Sequence, residues 1–275
     1  MASGPQTRSL IDRLVEQTIF TPIREGSAVS ETVARIGQAI GLGLLEPGEQ
    51  LPPESKLAEG LGISTATLRM ALAILREAGH LETVRGRGGG TFVSFETVKT
   101  AALNRAELPS ESELRDFSNY RAALEGAAAE LAAQNATQAQ IAHLEALVAL
   151  MHSENEFEKW AKADTLFHLA LADASGSKRL LTQISEVRAE AHRLSLSVPE
   201  PRSTFDISND EHRAILNAVA RHRPERARQA VCEHLRSTLA LWLGLGLVRD
   251  GSRGGDEARV VDVVQVPNRE RSKSK

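Results

Sequence analysis

Residues 51–93, LPPESKLAEGLGISTATLRMALAILREAGHLETVRGRGGGTFV, restrict the fold more than any other part of the chain. Pro52 and Pro53 open a helix at positions where a missing N–H costs nothing. Gly60 and Gly62 bracket a tight turn. Ser64 is placed to cap a second helix whose apolar face is Leu68, Leu72 and Leu75, and Gly79 stops it. Leu81–Arg85 and Thr91–Ser94 read as short strands, joined by the glycine run Gly86–Gly90. Upstream, Val33, Ile36, Ile40 and Leu44 recur at helical spacing over 30–44, with Ser30 as the expected N-cap. Helix, helix, turn, helix, strand, loop, strand is the order of a winged helix-turn-helix. Such a module places one helix in the DNA major groove.

Charge qualifies that reading. The chain carries a formal net charge of -3, whereas nucleic-acid binders tend to be basic. Over 29–95 the acids slightly outnumber the bases, but they crowd into 29–59. Downstream, Arg69, Arg76, Arg85 and Arg87 face only Glu77 and Glu82. Phosphates feel charge within a Debye length of about 8–10 Å, so local polarity outweighs the sum. Candidate DNA contacts are Lys56, Ser64, Thr65, Thr67, Arg69, Arg85 and Arg87. Residues at the start of the second helix face the groove, and Arg69 can reach a guanine bidentately. Affinity is expected to be modest for one module and to need a dimer.

From 112 to 247 the pattern is helical almost without interruption, with helices expected at 112–134, 138–153, 157–174, 177–197, 209–221 and 224–246. Thr137, Ser177 and Asn209 are the expected starts, and Pro224 suits a first helical position. Five segments follow: an arm at 1–28 with a short helix near 10–20, the winged module at 29–95, a linker at 96–111, the helical unit at 112–247, and a disordered tail at 248–275. The fold class is mainly α, a winged helix-turn-helix with a small β-hairpin wing followed by an all-α bundle. Cys232 is the only cysteine. There is no long apolar run and no signal-like N-terminus, so a cytoplasmic protein is expected, with no membrane partner.

Asp164 and His168 stand at i and i+4 and share one helical face. His212 and His234 occupy later helices. One carboxylate and three imidazoles suit a divalent transition metal: Zn first, with Ni or Mn also able to use such donors. An enzyme would also need a positioned base. Glu211 adjoins His212 in sequence and so faces about 100° away from it on a helix. No nucleophile–base pair, H-E-x-x-H or phosphate loop is present; the glycines at 88–90 lie between strands. Arg121, Arg188 and His192 are candidate effector contacts, since a guanidinium grips a carboxylate. Arg121 has an equal alternative, an i,i+4 pair with Glu125 on a solvated face. His80, His143, His152 and His222 read as surface residues.

The chain resembles the GntR family of bacterial transcription regulators over 29–94. The resemblance rests on L-P-x-E-x-x-L-A-x-x-L-G-I-S, L-R-x-A-L-x-x-L, G-x-L and R-G-x-G-G-G-T-F-V. Ser55 and Thr65 stand where the family usually has arginine. Of three arginines commonly used on DNA only Arg69 remains, and Lys56 is a candidate substitute for one lost phosphate contact. Residues 112–246 resemble the FCD domain. The matching pieces are R-x-x-L-E-x-x-A-A-x-L-A-A at 121–133, D-x-x-F-H-x-x-L at 164–171, E-H-R-A-I-L at 211–216, and His234. The resemblance implies an effector-responsive regulator, a repressor and a homodimer, reading a double-stranded operator. It also implies a metal on Asp164, His168, His212 and His234, with a small carboxylate rather than an acyl-CoA as effector. A constitutive DNA-binding dimer without effector is the main alternative, and a metal-dependent enzyme a remote one.

Overall fold

The computed structural model describes residues 20, 28–86, 88–95, 108–196 and 203–244. The expected arm helix near 10–20, nearly all of the linker, the tail and Arg87 lie outside these residues.

The N-terminal unit comprises α1 (Ala28–Gly41), α2 (Glu54–Leu61), α3 (Thr65–Glu77), β1 (Leu81–Val84) and β2 (Gly90–Val93). The first helix starts two residues before Ser30, which lies inside it and is not its cap. It also ends at Gly41, so Leu44 sits beyond the helix, yet Leu44 is buried. Gly62, in the left-handed region at φ 65°, closes α2 by donating to the carbonyls of Ala58 and Glu59. A side chain there would carry the steric cost that glycine avoids. The α2 and α3 axes then meet at 106°. Ser64 Oγ accepts from the Thr67 amide and caps α3 as expected. The strands pair antiparallel, from Leu81 opposite Val93 to Val84 opposite Gly90, and Gln50 forms a bridge to Phe92. Leu68, Leu72, Leu75, Leu81 and Val93 are buried and make the core of the unit.

The C-terminal unit is all helical: α4 (Glu111–Asn135), α5 (Gln138–Ser153), α6 (Phe157–Ala174), α7 (Lys178–Leu196), α8 (Ser203–Ala220) and α9 (Pro224–Gly244). Capping boxes start α4 at Ser110 with Glu113, and α5 at Thr137 with Gln140. Ser177 Oγ accepts from the Leu180 amide at the start of α7. One expected boundary fails. The penultimate helix starts at Ser203, and Asn209 is no cap. It is buried inside α8, where its Oδ1 accepts from Trp160 Nε1 at 2.9 Å. Ser/Asn cap statistics describe solvated ends, and a buried amide answering an indole obeys a different demand.

Helix α6 lies at the centre. It packs on α4, α5 and α7, and its residues 162–169 are buried without a break. A helix buried on all sides shows little amphipathic pattern. Its one long polar side chain on the inter-unit side, Lys162, pairs with Glu46 at 2.9 Å and Glu49 at 3.1 Å in the N-terminal unit. Among the described residues no single helix is long and apolar enough to cross a membrane.

Candidate metal centre and effector cavity

Three helices bring four ligand-type side chains to one point. Asp164 and His168 come from α6, His212 from α8 and His234 from α9. All four are buried, and one ligand atom from each lies within 4.8 Å of the others. His212 Nε2 is 3.1 Å from Asp164 Oδ1 and 3.3 Å from His168 Nε2.

Carboxylates behind the rings decide which nitrogens face inward. Glu211 Oε2 accepts from His234 Nδ1 at 2.9 Å. Glu125 Oε2 lies 2.7 Å from His168 Nδ1, although the pair is off hydrogen-bond alignment. Each carboxylate favours the proton on the outer Nδ1 and leaves the Nε2 lone pair facing the centre, as orienting groups do for metal-bound histidine. Converging lone pairs and a carboxylate repel one another unless a cation sits between them. The donor set therefore fits a divalent ion with N/O preference. Burial first, and Arg188 second, pull the His168 pKa down to about 3. Burial first, and His234 second, lower His212. Neutral rings are the form that ligates. Burial opposes charge on Asp164, but Arg188, His212 and His168 outweigh it and hold the carboxyl well below its usual range.

A cavity of about 330 Å³ opens beside Asp164 and His234. Arg121, Arg188 and His192, expected to meet an effector, all line it. Arg188 Nη2 binds Asp164 Oδ2. Arg121 pairs with Glu125 at 2.9 Å, but both side chains are 2% exposed. The i,i+4 pair exists; its solvated setting does not, because Arg121 is covered by Phe117 and Trp242, with its Cζ 5.9 and 5.6 Å from their ring centres. Besides His168 Nδ1, three buried donors lack a partner among the described residues: Arg121 Nη2, Arg188 Nε and Trp242 Nε1.

Glu125, Glu211 and Trp242 were not among the expected site residues. Glu211 is not one of the four ligand-type residues, yet it reaches His234 on the neighbouring helix. The sequence held the signal for Glu125 in its spacing from Arg121; Trp242 left none. His192 serves two units. It lines the cavity, and its ring fills the space over Gly43, where a Cβ would stand 2.2 Å from Nε2. Of the histidines read as surface residues, His152 and His222 are exposed, though each ring touches a backbone carbonyl. His80 and His143 are half-buried.

On the N-terminal unit, Lys56, Ser64, Thr65, Arg69 and Arg85 are exposed. Thr67 is half-buried, and its hydroxyl is engaged with Ser64 Oγ at 2.8 Å, so both side chains serve the helix start. Arg69 is 68% exposed and leans on Glu54 at 2.7 Å.

Residues 28–93 match the profile of the bacterial regulatory proteins of the gntR family, and residues 116–237 match the FCD domain. RmpR of Mycobacterium gastri, an HTH-type transcriptional regulator by name, is 35% identical over 82% of this chain and 83% of its own. The Glc operon transcriptional activator of Escherichia coli K12 is 31% identical over 76% of this chain and 85% of its own. The E. coli McbR/YncC structure shares the fold, with a TM-score of 0.51 at 21% identity, covering 80% of this chain and 98% of that one. The chain belongs to the GntR family with a C-terminal FCD domain, and is a DNA-binding transcription regulator rather than an enzyme.

Proposed function

We propose that the chain is a ligand-responsive regulator, and that a small carboxylate binds in the cavity lined by α4, α6, α7, α8 and α9, beside a divalent metal. Asp164, His168, His212 and His234 hold the ion, with Zn first. The ion supplies positive charge and an open position for an acid oxygen. Arg121, Arg188 and Trp242 offer the remaining donors.

One observation carries this reading: Arg121, Arg188 and Trp242, each with a buried N–H that lacks a partner among the described residues, line one cavity with Asp164 and His234 of the ligand quartet. A buried unpaired N–H costs about 1–3 kcal/mol. An anion in the cavity recovers that loss, and a neutral apolar molecule does not. Charge agrees. With neutral imidazoles, Arg121 and Arg188 face Glu125, Asp164 and Glu211, a net of minus one. A divalent ion raises it to plus one, and a single carboxylate restores neutrality.

The N-terminal unit reads duplex DNA through α3 and the wing, with Lys56, Ser64, Thr65, Thr67, Arg69, Arg85 and Arg87 as the contacting set. The unit boundary lies in 96–111. A homodimer in the cytoplasm suits a two-fold operator. Repression is the expected direction; the Glc-operon relative is an activator by name, and transcription from a target promoter gives the sign.

The test measures affinity for an operator fragment, selected from random DNA, by fluorescence anisotropy. Zn-loaded protein is titrated with and without a panel of small carboxylates. The proposal expects at least one acid to shift affinity by about 5-fold or more, the range of ordinary allosteric coupling. Unchanged affinity across the panel favours the constitutive dimer.

A further inference from the structure

The lining of the same cavity is mixed but mainly apolar, and the geometry points to an effector with one carboxylate and an apolar, preferably aromatic, body. This rests on the carboxylate reading above and narrows it.

The charged side chains of the lining are Asp164, Arg188, Arg121 and Glu211. Most of the remaining surface is apolar, from Phe157, Trp160, Ala161, Ile207 and Leu241. Trp160 stacks on Phe205 at 4.8 Å and 6° between planes, and Phe157 joins both rings. The Trp160 N–H is already spent on Asn209, so its ring presents only apolar surface. No Lys or Arg other than Arg121 and Arg188 lines the cavity. A second carboxylate would meet no further guanidinium or ammonium, only His192 and the hydroxyls of Thr165, Ser195, Ser208, Ser237 and Thr238, and such neutral donors hold an anion more weakly than a charged one. Ile207 lines the cavity and is 62% exposed, an apolar side chain that a ligand body could cover.

Size separates this from a minimal acid. A volume of about 330 Å³ equals roughly eleven waters at ~30 Å³ each. A two- or three-carbon acid takes the space of about three or four waters and leaves most of that volume unfilled. An acid with a ring fills it, and removes apolar surface of both partners from water.

The experiment compares three acids that share one head: lactate, 3-phenyllactate and malate. Each is titrated calorimetrically into full-length Zn-loaded protein, as wild type and as Ile207→Ser, a change at an exposed position that spares the core. The expected order is 3-phenyllactate tighter than lactate by about tenfold or more, with malate no tighter than lactate. In Ile207→Ser the preference for the aromatic acid shrinks several-fold. Lactate binding as tightly as 3-phenyllactate, malate binding tightest, or a preference unchanged by Ile207→Ser would each overturn the aromatic-acid inference and leave the carboxylate reading standing. No heat with any acid, while the protein holds its Zn, would overturn both.

Discussion

His192 shows how one side chain can belong to two units. It sits one helical turn after Arg188, lines the cavity and covers Gly43, which takes φ 67° in the loop after α1. Burial first, and Arg188 second, push its pKa from 6.5 to about 4. The unfolded chain takes up this proton near pH 6.5, the folded chain only near pH 4. Its contribution is thus complete above pH 6.5 and lost progressively as pH falls toward 4. Metal-free protein should lose stability across that window, and His192→Gln should flatten the loss by about 2 kcal/mol. Denaturant melts of both proteins from pH 7 to 4.5 check this; parallel curves would show that His192 titrates normally. Residue-scale legibility follows from the same physics. The Asp164/His168 spacing was visible because i,i+4 neighbours share a face. The carboxylates that orient the rings were not, since Glu125 and Glu211 meet His168 and His234 only after helices pack.

Helix α3 is the element proposed to read DNA, and its surface is mixed. Arg69 is exposed beside Met70, which is 60% exposed, and Glu54 on α2 holds the guanidinium in place. A surface pair of this kind adds little stability; its value lies in orienting Arg69. Arg69→Ala should weaken operator binding by about 1–3 kcal/mol and relax preference at one base pair. Lys56→Ala serves as the contrast, a phosphate-type loss spread evenly over sequences. Anisotropy on the operator and a scrambled duplex distinguishes them; equal losses on both for Arg69→Ala would place Arg69 on the backbone. The helix pattern itself was largely readable, because capping boxes at Ser110 and Thr137 and the Ser64 cap are local. The start of α8 was not. Asn209 resembles a cap in sequence, and only the Trp160 indole 49 residues away explains its burial.

Across the whole molecule, the metal-type cluster and the DNA-reading unit share α6. Asp164 and His168 face the centre from it, while Lys162, 6% exposed, ties the same helix to Glu46 and Glu49. On α7, Arg188 touches Asp164 and His192 touches Gly43. Any shift of α6 or α7 on loading the centre is therefore felt directly by the loop between α1 and α2. Such contacts between units were invisible in sequence, because glutamates at 46 and 49 and a lysine at 162 carry no periodic signature. The account depends on the centre being a metal site. Elemental mass spectrometry of the purified wild type beside His168→Ala/His212→Ala, with circular dichroism to confirm that both fold, tests it most directly. We expect about one tightly held divalent metal per chain in the wild type and none in the variant; a folded wild type that holds no metal even after dialysis against Zn would contradict the account.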